Sequence, residues 1–324
     1  MKLDLSLSTK ARFDLDAQQA KVIAELYSQV LKDLKEREKY LNASFLSSAK
    51  MALSQVNDLK ASLLEELDGI RKRLEKEIPK DMTTISDAVV NDNKIWANSL
   101  GMEPRLGKVS TDVVSRLVFG EVYEGDWTLS KALWKDYHLK KEDINYIVAK
   151  GVAQNKSAFS IAKDLEKYVD PMASKDSRKI VYNTYTLNGV VLTQKEYERL
   201  SKEKKAQCEV KKETYNFGRV DYNAQRLART MVSHAYQQSL VLSCKDNPFV
   251  TGIRWDASNS GRVCPICLER DGQVFPKDDL PMDHPNGMCT YEAVLMDDDS
   301  IIDRLADWVN GEDDSEIDLF ATKL

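Results

Sequence analysis

The sequence lacks a long apolar run. Its longest stretches without Asp, Glu, Lys or Arg are 15 residues, short of the roughly 20 that a helix needs to cross a bilayer. The opening MKLDLSLSTKARFDLD has no apolar core of the kind a secretory signal carries. These absences predict a soluble chain without membrane contact. Enzyme signatures are also missing: no glycine-rich phosphate loop, no GxSxG elbow and no HExxH occur, so no catalytic residue is assigned and no enzyme is expected. Cysteine is scarce and odd in number, five in 324 residues. With no export signal, that argues against a disulfide framework and makes any cluster of thiols a candidate for metal ligation or reactivity. Of three histidines, His138 in WKDYHLKK stands alone and reads as a surface residue. His234 lies beside an apolar helical stripe and reads as semi-buried and hydrogen-bonded, not catalytic.

Proline and glycine are nearly absent from the first quarter. Between Ser8 and Lys80 only Gly69 and Pro79 occur, and the Leu, Glu, Lys and Ala that dominate there are good helix formers. Leu53, Val56, Leu63, Leu67, Ile70 and Leu74 fall in steps of three, four and seven, with Lys60 interrupting the pattern. That period suits a coiled-coil seam or a helical hairpin, either packed within the chain or joining an oligomer. Shorter helices follow. The one after Ser157, a candidate N-cap, carries an apolar face ending at Val169 and is stopped by Pro171. In VYNTYTLNGVVLT the Asn188-Gly189 pair between β-branched and aromatic residues predicts a hairpin, and a short charged helix is expected from Thr193. The fold class expected is mainly α with small β elements (α+β). Its parts are a helical, coiled-coil-like arm over 1–80, a helical domain over 81–178, a hairpin plus helix insertion over 179–215, a metal-stapled module over 216–296 and an acidic tail over 297–324.

Charge is unevenly spread. The chain carries a net −5, while residues 297–324 hold ten acids and two bases, a net −8, which leaves about +3 for residues 1–296. Such a tail is usually solvated and mobile, the alternative being docking onto a basic surface. Within it Ile301, Ile302, Leu305, Trp308 and Val309 lie at helical spacing and predict a short amphipathic helix.

The stretch CPICLERDGQVFPKDDLPMDHPNGMC gathers three of the five cysteines and one histidine. Its pattern, Cys264-x2-Cys267-x16-His284-x4-Cys289, supplies three thiolates and an imidazole, a set suited to tetrahedral structural zinc. Two cysteines three apart around Pro265 fit a knuckle whose backbone N–H groups point at sulfur. Asp271-Gly272 reads as a hairpin turn, and Gly287 allows the bend that returns Cys289. Four protein ligands leave no open position for water or substrate. The alternatives are reduced core thiols or a local Cys264–Cys267 disulfide. A different reading makes this a zinc-knuckle nucleic-acid binder, with Arg254, Trp255, Arg262 and Lys277 around the metal as the contact face. The near-neutral body and acidic tail disfavour it.

The run from Ala228-Arg229-Thr230 through TGIRWDASNSGRVCPICLERDGQVF to DHPNGMCTYEA resembles the C-terminal module of the phage Mu F-like minor head proteins, or head-morphogenesis proteins. VAKGVAQNKSAFSIAKDLEKYVDP is similar to the helical part of that family, so the resemblance spans roughly residues 85 to 296. The family commonly has cysteines three and five residues after the histidine. Here Gly287 and Cys289 stand there, so one downstream cysteine remains. The resemblance implies a portal-associated minor component of a tailed-phage or prophage virion head, assembled in the host cytoplasm. It implies a role in head morphogenesis and DNA packaging or delivery, with the portal protein, other head proteins and phage DNA as partners.

Overall fold

The computed structural model describes residues 2–43, 49–154, 156–175, 177–192, 194–258 and 263–323. It is mainly helical with small sheets. Two long helices, α1 (Ser6–Ala43) and α2 (Ala49–Ser99), come first, then strand β1 (Met102–Pro104) and helices α3 (Val109–Phe119), α4 (Leu129–Ala153) and α5 (Ala158–Val169). Strands β2 (Lys179–Leu187) and β3 (Val190–Leu192) precede two short helices, α6 (Gln194–Arg199) and α7 (Lys202–Ala206), and strand β4 (Glu209–Asn216). Helix α8 (Tyr222–Lys245), strand β5 (Val250–Asp256), helix α9 (Pro265–Arg270) and strands β6 (Val274–Phe275) and β7 (Thr290–Leu295) follow. Helices α10 (Asp298–Asn310) and α11 (Ser315–Phe320) and strand β8 (Ala321–Lys323) come last.

These elements form two compact units that cut across the five consecutive segments expected from the sequence. One comprises residues 1–20, 75–132 and 226–324, the other residues 21–74 and 133–225. The discrepancy has a physical cause: a helix stays continuous as long as its backbone ladder does, while its apolar face can change partners along its length. Proline at 79 does not end α2, so composition alone could not place a boundary there.

In the first unit α1 runs antiparallel to α2. The backbone N–H of Ser8 donates to Asp92 at 2.9 Å, and Gln19 Nε2 donates to Asp81 at 2.5 Å. The sheet has the order β6-β5-β7, all antiparallel, with Trp255 opposite Tyr291 and Asp256 opposite Thr290. Trp255 is fully buried, its ring edge-on to Tyr291 at 5.1 Å, and Tyr291 in turn stacks on Tyr236 of α8 at 6.1 Å. These aromatic pairs fix the sheet against the helix that faces the cysteine-rich loop.

The acidic tail belongs to this unit and is folded, a correction to the mobile tail expected from its charge. Ile301, Trp308, Ile317 and Phe320 are buried, Arg304 forms ion pairs with Asp314 and Glu316, and Trp308 Nε1 donates to Asp318 at 2.9 Å. Strand β8 pairs with β1, and the Arg105 N–H donates to the Phe320 carbonyl at 2.8 Å. Four apolar side chains at helical spacing outweigh charge whose carboxylates face water or serve as caps, as Asp297 and Asp314 do.

In the second unit the helical hairpin continues, with Arg37 of α1 paired to Glu66 of α2. The seam is Val56, Leu59, Leu63, Leu67, Ile70 and Leu74, all buried, with Leu59 filling the place beside Lys60, while Leu53 is exposed. The apolar stripe is thus used within the chain. Ser157 caps α5 through the N–H of Ser160 at 3.2 Å, as its spacing predicts. Asn188 and Gly189 both have positive φ, 52° and 79°, and join β2 to β3 as predicted. Strand β4 then pairs with β2 along eight residues. The expected helix is two short ones, α6 and α7; Thr193 lies outside the described residues.

Candidate metal centre

The loop between β6 and β7 and the turn that opens α9 bring the predicted ligands together. Cys264 is the N-cap of α9: its sulfur accepts the Cys267 N–H at 3.3 Å, with Pro265 at the first helical position. This is the knuckle expected from CxxC. Asp271-Gly272, by contrast, is not a hairpin turn between two strands. It ends α9 and leads into β6, and Gly272 N–H donates to the Trp255 carbonyl at 2.8 Å. The residues before it are helical because Cys264 caps them, and β6 takes the edge of β5 instead.

The ligand atoms of Cys264, Cys267 and His284 lie within 4.8 Å of one another, and so do those of Cys267, Asp283 and Cys289. Tetrahedral zinc with bonds near 2.3 Å needs sulfurs roughly 3.8 Å apart, and the two overlapping groups, which share Cys267 and together take in Cys264, Cys267, His284 and Cys289, can hold a metal ion. All the cysteines are free thiols, which sets aside a Cys264–Cys267 disulfide. His284 is suitably presented. Its Nδ1–H donates to the Pro285 carbonyl at 3.1 Å, which leaves the Nε2 lone pair toward the thiols.

Electrostatics favour a cation. The Cys267 N–H, first among several influences, holds the Cys264 thiol below its ordinary range. Burial pushes the Cys267 and Cys289 thiols up, and the nearby Asp283 carboxylate adds to both shifts. Burial alone would lower His284, but its bond to Pro285 and the neighbouring Asp283 carboxylate outweigh that and raise its basicity. A divalent ion reverses the cost of ionising these buried thiols.

Helix α8 fastens the loop. Gln237 Nε2 donates to the Pro281 carbonyl at 2.6 Å while its Oε1 accepts the Asp283 N–H at 3.0 Å. His234 Nε2 bonds the Asp283 carbonyl at 3.0 Å, and Tyr123 OH meets its Nδ1 at 2.7 Å. Burial lowers the His234 basicity, so this histidine is neutral and structural, as its place beside the apolar stripe suggests. One turn earlier Ser233 Oγ donates to the Gly287 carbonyl at 3.0 Å and Thr230 Oγ1 accepts the Asn286 N–H at 2.9 Å. Arg229 bridges Asp16 of α1 and the Asn286 side chain, and Arg12 Nη1 donates to the Cys289 carbonyl at 2.7 Å.

Sequence reasoning missed Asp283, Gln237 and the two arginines. The readable signal was the set of polar residues Thr230, Ser233, His234 and Gln237, spaced three and four apart along an otherwise apolar helix face. His138 is exposed, as expected of a lone surface histidine.

The described residues of the expected nucleic-acid face are engaged within the chain. Trp255 is fully buried and has no face for a base, Arg254 is ion-paired with Glu292, and Lys277 Nζ donates to the Asn247 carbonyl at 2.8 Å. Arg262 lies outside the described residues. Comparison with protein-family models, characterised proteins and solved structures finds no match.

Proposed function

We propose that this chain is a minor head protein of a tailed phage or prophage, portal-associated and acting in head morphogenesis and DNA packaging or delivery. It acts through assembly and not through turnover. The observation that carries the reading is the convergence of Cys264, Cys267, His284 and Cys289 inside the module whose sequence resembles the Mu F-like proteins. Zinc is the ion we assign, because three thiolates and an imidazole suit it. Bound there, zinc supplies a clamp that ties the α9 turn to the loop before β7. The chain's own residues do the rest: α8 holds the loop backbone, and the sheet places Cys289 beside Trp255.

Two measurements test this. The purified protein is expected to hold about one zinc per chain, and elemental analysis of protein prepared without chelator that finds none removes the metal. Association with the portal is expected in co-sedimentation of the chain with portal rings. Absence both from those pellets and from purified heads ends the assignment. The nucleic-acid alternative predicts salt-dependent retention on DNA, and the burial of Trp255 speaks against it.

A further inference from the structure

Asp283 is the unexplained group of this site. Its side chain is only 1% exposed, and its Oδ2 has no hydrogen-bond partner. Oδ1 accepts the His284 N–H at 2.8 Å and lies 3.8 Å from the Cys267 sulfur and 4.0 Å from His284 Nε2. Among the described residues no lysine or arginine is ion-paired with it. A buried carboxylate with an idle oxygen beside two thiols is costly unless a cation sits there.

Gly287 supports the same conclusion independently. Its φ is not in the left-handed region, so the backbone does not demand glycine. A Cβ at 287 would fall 2.1 Å from Asp283 Oδ2 and 2.2 Å from its Cγ. The missing side chain is the space the carboxylate fills. Cys267 is common to both groups of three donors, so an ion bound near its sulfur is within reach of Asp283 from the buried side.

We propose that the Asp283 carboxylate binds the metal ion directly, alongside the Cys267 and Cys289 thiolates, so that one ion draws on a donor set including oxygen and not on Cys3His alone. This rests on the metal reading above. An oxygen donor among thiolates keeps the site in the class that takes zinc or cobalt and away from copper(I).

The test uses the full chain stripped of metal and titrated with zinc against a chromophoric chelator, and with cobalt(II) for its absorption bands. Asp283→Asn keeps the size of the side chain and an acceptor for His284 N–H but removes the charge. It is expected to weaken zinc at least ten-fold and to shift the cobalt bands. Gly287→Ala, which crowds the carboxylate without removing it, is expected to weaken zinc in the same direction. Infrared difference spectra of the wild-type chain, metal-free against zinc-loaded, are expected to show a carboxylate band and need no variant to fold. Metal bound with no carboxylate band, or wild-type affinity and cobalt spectrum in Asp283→Asn, overturns the proposal while leaving the metal reading standing. Two ions per chain overturns it as well. No metal in the wild-type chain removes both.

Discussion

Replacing Gln237 by leucine tests whether α8 holds the ligand loop. The side chain is fully buried, and it satisfies two loop groups at once, the Pro281 carbonyl at 2.6 Å and the Asp283 N–H at 3.0 Å. Leucine has nearly the same volume and offers neither a donor nor an acceptor, so both backbone groups are left buried and unpaired. Each such group costs about 1–3 kcal/mol, so the pair costs about 2–6 kcal/mol. Neighbouring bonds from His234, Ser233 and Thr230 remain, which makes the lower end the firmer expectation. With tenfold per 1.4 kcal/mol, about 2 kcal/mol is about a thirty-fold rise in local opening. Amide hydrogen exchange over residues 282–289, read by mass spectrometry on the metal-free chain, measures it. Exchange in Gln237→Leu within about three-fold of wild type would mean that the loop is held by other contacts and not by Gln237.

Further expectations concern the rest of the chain. Phe320→Ala empties a buried site in the first unit and is expected to destabilise that unit by about 3–5 kcal/mol; a loss below about 1 kcal/mol in chemical denaturation would show that the tail is not integral to it. The Glu166 pKa is pushed up to about 7, by burial first and then by its bond to Glu38. Its folded pKa lies above the unfolded value, so its contribution is complete below about 4.5 and is lost as pH rises through about 7. The urea midpoint of the second unit is therefore expected to fall between pH 5 and pH 8 in the wild type and to change less in Glu166→Gln; equal slopes would show that Glu166 is not the group responsible.

The long helices were legible because residues 8–80 contain almost nothing that stops one, and Ser157 and Asn188-Gly189 act locally, through bonds and dihedrals set by a few neighbours. The CxxC knuckle was legible for the same reason. What escaped depends on distant partners. Strand β4, EVKKETYN, is almost wholly exposed and owes its conformation to β2, so no alternation marks it. The tail reads as solvated by composition, yet Ile317 and Phe320 are buried in the first unit, beside a strand that pairs with β1. Asp283 is an ordinary carboxylate in sequence. Its significance comes from a missing Cβ four residues on and two sulfurs brought from elsewhere.

The division of the chain into units falls inside α1, α2, α4 and α8. Four uninterrupted helices therefore carry the polypeptide across it, and no single scission yields either half as one continuous piece. Fragment expression, limited proteolysis or deletion of one segment would leave an incomplete core on both sides. Dissecting the molecule calls for re-wiring its connectivity, with new links joining 20 to 75 and 132 to 226 for one unit and 74 to 133 for the other.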